Sequence, residues 1–452
     1  MTGLPLIIAF VVAIIAMILL ISKLKVHPFL AIMGISLLLA ILAGIPLTQI
    51  PGIIGAGFSG TFTSIGIVII LGAFIGAVLE KTGAALKLAD MVIRLVGEKN
   101  PELAIELMGW VVSIPVFCDS GFVILNPIRK ALVKRTGKSS VAMTVCLSCG
   151  LYISHVFIPP TPGPIAAAQT LGVGEYLLLV IGMGVLCSIL PLIAGLIYAK
   201  FIGKKIKSAD ERADSNEVVK SYEELKAEFG KLPGGCNALA PLLVPILLMA
   251  LSSIAAMAKW TGAVADLCTF LGTPIMALAV GAVLAIAQLF VAGKKKEFYT
   301  LTNDTLTTVG PILFVTAAGG VLGKVISSSD MVNFITEHAS VLQAMGIFFP
   351  FLLAAILKSA QGSSTVAITT TAGIVAPLLA VLGFTAPVQV ALVVMAIGAG
   401  AMTVSHANDS YFWVVTNFGD MTPEEGYRSQ TLMTLVIGLA SMVEIFILSL
   451  IF

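Results

Sequence analysis

The stretch Leu357–Pro377, "LKSAQGSSTVAITTTAGIVAP", places a lysine, a glutamine and a run of serines and threonines between the apolar flanks "GIFFPFLLAAI" and "LLAVLGF". So polar a centre argues against a single membrane span, and each flank is too short to make one alone. Gly346–Gly383 is therefore expected to enter and leave by the same face as a helical hairpin, with its tip near Ser359–Thr365. Non-helical backbone at membrane depth is tolerated only where protein buries it or where it lines a water-filled cavity.

Composition supplies the membrane. The chain has 452 residues, 58% hydrophobic and 11% charged, against about 25% charged in an ordinary globular domain. Apolar runs recur at Leu4–Ile21, Pro28–Ile45, Ile65–Leu79, Tyr176–Ala199, Ala238–Met257, Pro274–Val291, Val388–Met402 and Leu432–Phe452, several reaching the roughly 20 residues that cross a bilayer as a helix. The first run lacks a basic leader and a small-residue cleavage pattern, so it reads as a retained helix. The expected fold class is an all-α polytopic membrane protein. A net charge of +2 gives no ground for nucleic-acid binding. No phosphate-binding loop supports ATP-driven pumping. The histidines and cysteines show no ligand spacing, so no metal or cofactor is expected. Cys146 and Cys149 form a CxxC inside an apolar run, where buried packing is the simpler reading.

Lysines and arginines near membrane ends mark the cytoplasmic side. Lys23, Lys25, Lys81–Lys99, Arg129–Lys138, Lys200–Lys231, Lys294–Lys296 and Arg428 fall on one side, which puts both termini outside and the mixed-charge linker 201–235 in the cytoplasm. The halves flanking that linker align. "GAFIGAVLEKTG" at Gly72 resembles "AAGGVLGKVISSS" at Ala317, "CDSG" at Cys118 takes the place of "AQGS" at Ala360, and "ISH" ending at His155 matches "VSH" ending at His406. An odd number of crossings per half makes the second copy inverted, an arrangement typical of transporters with a midplane substrate site.

The expected organisation is an N-terminal repeat 1–200, with a hairpin at about 101–134 and a broken helix at about 139–172. The C-terminal repeat 236–452 has its hairpin at about 342–381 and its broken helix at about 387–420. In the first half "LAIELMGWVVSIPVF" enters, "CDSG" turns and "FVILNPIRKAL" returns. Four prolines in "SHVFIPPTPGP" interrupt the following helix, and "SHANDS" interrupts its counterpart. Freed N–H groups and positive dipole ends at such breaks attract anions. The amphipathic "ALKLADMVIRLVG" suits a surface helix, with "SSSDMVNFITEHAS" as its counterpart.

"QGSSTVAITTTAGI" and "VSHANDSYFW", supported by "PPTPGP" and "GAFIGAVLEKTG", resemble the gluconate permease family of the ion transporter superfamily over nearly the whole chain. The resemblance implies secondary transport of sugar acids such as gluconate, or other small hydroxy or amino acids, usually with proton symport. It also implies a scaffold domain and a moving transport domain, often in a dimer, in a bacterial inner membrane.

On this reading Asp119 is the leading proton-coupling residue. A membrane carboxylate is costly unless protonated or paired, and its repeat-mate is the neutral Gln361; the alternative is an N-cap holding the turn. Lys358 pairs either with substrate, with Asp119, or with a neighbouring acid. Asp409 is a second proton carrier, a sodium ligand or an N-cap. His155 and His406 sit beside equivalent breaks, as ligands for hydroxyls or as buried neutral imidazoles. Asn408 suits a substrate hydroxyl because its amide donates and accepts. Ser120 and Gly121 at one tip, and Gln361, Gly362, Ser363, Ser364 and Thr365 at the other, present hydroxyls and N–H groups to substrate; packing of small residues is the alternative. Thr161 and Gly163 belong to the proline-rich break, as ligands or as architecture. Glu80 reads as an interface residue. The expected activity is import of a small polyhydroxy carboxylate with protons. The alternatives are sodium coupling and, from another class, an intramembrane hydrolase.

Overall fold

The computed structural model describes residues 3–96, 100–212, 232–257, 260–330, 344–406 and 409–452. Among them there is helix and no strand, and eight helical stretches are long and apolar enough to cross a membrane. The first half runs through Leu4–Ser22 and Pro28–Leu42 to Ile50–Thr61, which passes through one π-helical turn into Ile67–Lys81. Ala84–Val96 follows, then the first hairpin (Pro101–Val112 and Cys118–Thr136). The first broken helix is Ser140–Phe157 and Pro162–Thr170, and Leu177–Leu186 and Ile189–Ile202 close the half.

The second half opens with Gly235–Met257, Pro274–Val291 and the long helix Phe298–Ser327. The second hairpin is Phe348–Gln361 and Ser364–Val375, the second broken helix Pro387–Met402 and Ser410–Phe418, and Leu432–Ile451 ends the chain. Proline opens many of these elements, at Pro28, Pro101, Pro162, Pro274 and Pro387. Its fixed φ suits the first helical turn, and its missing N–H would have had no intrahelical partner there.

The two unbroken legs, Ser140–Phe157 and Pro387–Met402, pack against each other at the centre, each beside the entering helix of its own hairpin. Ser140–Phe157 is buried along its whole length. Glycine permits the closest approaches. A β-carbon at Gly150 would overlap the Glu106 carbonyl of the first hairpin, and one at Gly323 would overlap the Gly373 carbonyl of the second. Such contacts stabilise helix pairs where lipid offers no hydrophobic drive. The long helix Phe298–Ser327 packs against Pro28–Leu42, Ile50–Thr61 and Ser364–Val375.

One end of the molecule is tied by a buried cation. Arg129 is fully buried; its guanidinium donates to Asn126 Oδ1 (2.7 Å), Ser140 Oγ (2.6 Å) and the Phe418 carbonyl (3.3 Å). Lys130 pairs with Asp420 at 2.8 Å. The region expected as linker from residue 201 begins packed: Ile189–Ile202 extends into it, the Ala209 N–H donates to Asp420 O at 2.8 Å, and Glu211 accepts from the Ser140 N–H. Residues 213–231 of the linker, and most of the expected counterpart of the amphipathic helix, lie outside the described residues. Ala84–Val96 itself buries Ala84, Ala85, Leu86 and Leu88, packing against Pro101–Val112.

Candidate functional site

The first hairpin turns through Ser113–Phe117, where the Ser113 hydroxyl donates to the Val116 carbonyl at 3.0 Å. Helix resumes at Cys118, after an N-cap, Phe117, that supplies no side-chain bond. Asp119 therefore occupies the first turn and does not cap it. Its Oδ2 accepts from the Ser410 hydroxyl at 3.2 Å, while its buried Oδ1 has no hydrogen-bond partner among the described residues.

In the second hairpin Gly362 adopts φ 88°, a left-handed conformation that ends Phe348–Gln361 with little steric cost. Ser363 then caps the returning helix, its Oγ accepting from the Val366 N–H at 3.3 Å. That leaves the N–H groups of Ser364 and Thr365 in the helix's first turn, where no intrahelical acceptor exists.

At the second break, Asp409 is the N-cap of Ser410–Phe418, accepting from the Tyr411 N–H at 3.0 Å. Its other oxygen receives the Ser405 hydroxyl and the Lys358 ammonium, each at 2.5 Å. Lys358 also donates to the Gly362 carbonyl and lies 5.8 Å from the Tyr152 ring centroid. Of the pairings left open for Lys358, the structure has the one with Asp409, and that charge is neutralised internally. His406 is engaged with the other hairpin leg, its Nε2 3.2 Å from Ser359 Oγ and 3.1 Å from Ser359 O.

These elements enclose a cavity of about 440 Å³, within the size range of small-molecule sites. Three helices open onto it by their N-terminal ends, at Cys118–Ser120, Ser364–Thr365 and Ser410–Tyr411. Among the expected residues, Asp119, Ser120, His155, Gly362, Ser363, Ser364, Thr365 and Asp409 line it. His155 sits with its ring 5.9 Å from Phe117, and its buried Nδ1 has no partner among the described residues. Lys358 stands behind Asp409.

Four expected residues point elsewhere. A β-carbon at Gly121 would meet Leu151, one at Gly163 would meet Ile368, and the Thr161 hydroxyl donates to the Ile158 carbonyl at 2.7 Å. These three serve helix packing and the break itself, and His406 braces the second hairpin. Asn408 and the side chain of Gln361 fall outside the described residues.

The cavity also has walls the sequence reading missed: Tyr152, Tyr411, Thr308 and Ile312. The Tyr411 hydroxyl donates to the Ser148 carbonyl at 3.1 Å and its ring stands 5.1 Å from that of Tyr152. Tyr411 directly follows the second break, a signal available in the sequence. Thr308 comes from a different element, within the hydroxyl-rich "TNDTLTT" of the long helix.

Comparison with known proteins gives the arrangement a family. The model of the GntP family permeases matches residues 4–451. An uncharacterized permease of Haemophilus influenzae is 34% identical over 426 residues, covering 92% of this chain and 86% of that one. The inner membrane permease YgbN of Escherichia coli is 32% identical over 432 residues (94% of each chain), and a gluconate permease of Pseudomonas aeruginosa is 30% identical over 446 residues (97% and 96%). Two solved transporters share the fold. The Alcanivorax borkumensis YdaH transporter has a TM-score of 0.67 at 16% identity, covering 94% of this chain and 98% of its own. Neisseria gonorrhoeae MtrF has a TM-score of 0.65 at 14% identity, covering 95% and 96%. This is a multi-pass membrane protein with permease relatives, which sets the hydrolase alternative aside: the chain belongs to the GntP permease family.

Proposed function

We propose that this permease imports gluconate or a related small hydroxy carboxylate together with a proton, binding both in the 440 Å³ cavity. One observation carries the reading: Lys358 neutralises Asp409, whereas Asp119 faces the same cavity with one carboxyl oxygen unpartnered. Asp119 is thus the unbalanced charge of the site. Ionised, it repels an incoming carboxylate; protonated, it does not, and its new O–H becomes a donor. Anion and proton then bind cooperatively. The three helix N-termini favour negative charge at the same place. We assign the substrate carboxylate to the N–H groups of Ser364 and Thr365, and its hydroxyls to Ser120, His155 and, from the sequence, Asn408.

Gluconate enters this reading through relatives named gluconate permease in Pseudomonas aeruginosa, Zymomonas mobilis and Bacillus subtilis. Alternating access by the hairpins and broken helices, as inverted repeats moving past a scaffold in a dimer, completes it. The lysine-rich ends are taken as cytoplasmic and both termini as external. The clustering of Lys81 and Lys294, whose ammonium donates to the Lys81 carbonyl at 2.7 Å, supports one basic face.

The test is radiolabelled gluconate uptake into sodium-free proteoliposomes under an inward proton gradient, comparing wild type with Asp119→Asn. Accumulation by wild type is expected, with the variant losing it but keeping counterflow exchange. Accumulation only after sodium is added would make Asp119 part of a sodium site, and uptake of another hydroxy acid in place of gluconate would move the substrate within its class.

A further inference from the structure

A second cavity of about 250 Å³ adjoins the first. Phe117, Ser120 and Thr308 line both, so the two spaces meet beside Asp119. From there the smaller one runs between Ile67–Lys81 and Phe298–Ser327 to Glu80, Lys81 and Asp304. Its far end therefore lies at the basic face, close to Lys294.

The walls of this passage differ in chemistry from the central cavity. No helix N-terminus of the second hairpin or the second break lines it. The Thr308 hydroxyl donates to the Asp304 carbonyl (2.9 Å) and the Thr305 hydroxyl to the Leu301 carbonyl (2.8 Å). Each hydroxyl has a single proton to give, so both oxygens remain only as acceptors. They suit the hydroxyl protons of a polyol and offer nothing to a carboxylate. At the mouth the Lys81 ammonium is held by Glu297 at 2.5 Å and the Lys294 ammonium donates to the Lys81 carbonyl, so the carboxylates of Glu80 and Asp304 line the wall just inside a basic entrance.

We infer that this passage is the cytoplasmic leg of the transport route, that Thr308 contacts substrate hydroxyls where the legs join, and that Glu80 and Asp304 form an acidic rim favouring release of an anion over its rebinding. The inference rests on the import reading above and adds a direction to it. An anion entering from the cytoplasm passes two like charges before it reaches the helix N-termini of the central cavity, and that repulsion weakens binding from this side alone.

Two experiments test it in native-orientation and inverted membrane vesicles. Thr308→Cys is treated with a membrane-impermeant maleimide, and modification at position 308 is read by peptide mass spectrometry. Modification only from the cytoplasmic face, slowed by gluconate, is expected. Modification only from the opposite face, or none in a variant that purifies as folded protein, overturns the route. In the second experiment Glu80→Gln/Asp304→Asn is expected to lower the cytoplasmic-side KM for gluconate exchange about threefold to tenfold while leaving the external-side KM unchanged. An equal change on both sides, or none, overturns the rim. Wild-type vesicles that take up no gluconate would refute the substrate assignment while the sidedness of labelling still decides the route.

Discussion

At the scale of single residues, burial decides which ion pairs matter. Lys358 and Asp409 have side chains 1% and 6% exposed. Truncating one leaves the other charged and unpaired in a low-dielectric site, at a cost of about 3–5 kcal/mol. Lys358→Ala is therefore expected to lower the thermal midpoint of detergent-solubilised protein markedly. Lys358→Met combined with Asp409→Asn should recover most of it, since the stranded charge is gone; a double variant no better than the single one would refute this account. The Lys81–Glu297 pair, at 44% and 42% exposure, is the contrast. The hydrogen bond from Lys81 holds the Glu297 carboxyl below its usual range. Its contribution is thus present at neutral pH and lost as pH falls through that lowered value, and solvent screening keeps it small. Glu297→Gln should melt with wild type.

At the scale of elements, the hairpins depend on glycine where backbones touch. Gly150→Val forces a side chain into the Glu106 carbonyl, and neither helix backbone can yield cheaply. Overpacking of this kind costs about 1–3 kcal/mol or more. A β-carbon at Gly34 in Pro28–Leu42 would meet nothing within 4 Å, so Gly34→Ala is expected to be neutral or to stabilise by up to about 1 kcal/mol. Both are measured by thermal unfolding, and equal melting of the two variants would refute the contact argument. The helix ends at these places were legible because their signals are local: Gly362 beside Ser363, Pro159–Pro164, Asp409 before Tyr411. Roles depending on a distant partner were not. Nothing near Lys358 names Asp409, 51 positions on, and nothing near Glu211 marks it as the acceptor for Ser140, 71 positions earlier. Thr308 was hidden for the same reason, because a hydroxyl-rich helix start becomes a cavity wall only when another half folds against it.

At the scale of the whole molecule, the proposed coupling through Asp119 would make uptake a function of external pH. With proton and anion binding cooperatively, the initial rate of gluconate uptake should fall as external pH rises, by at most about tenfold per unit for a single proton. Asp119→Asn exchange should lose that dependence; a steeper fall in wild type would require a second titrating group. The halves are also joined by Arg129. Arg129→Lys should destabilise nearly as much as Arg129→Met, because an ammonium cannot reproduce the planar fork that reaches Asn126, Ser140 and Phe418 together. Full rescue by lysine in a melting experiment would argue against it. That cluster bears on biogenesis. Arg129 emerges from the ribosome 289 residues before Phe418, whose carbonyl it needs. During that interval its charge has only the nearby acceptors Asn126 and Ser140. Nascent chains that stop short of residue 418 would carry an incompletely satisfied arginine at that end of the molecule, a mark by which membrane quality control could separate unfinished copies from complete ones.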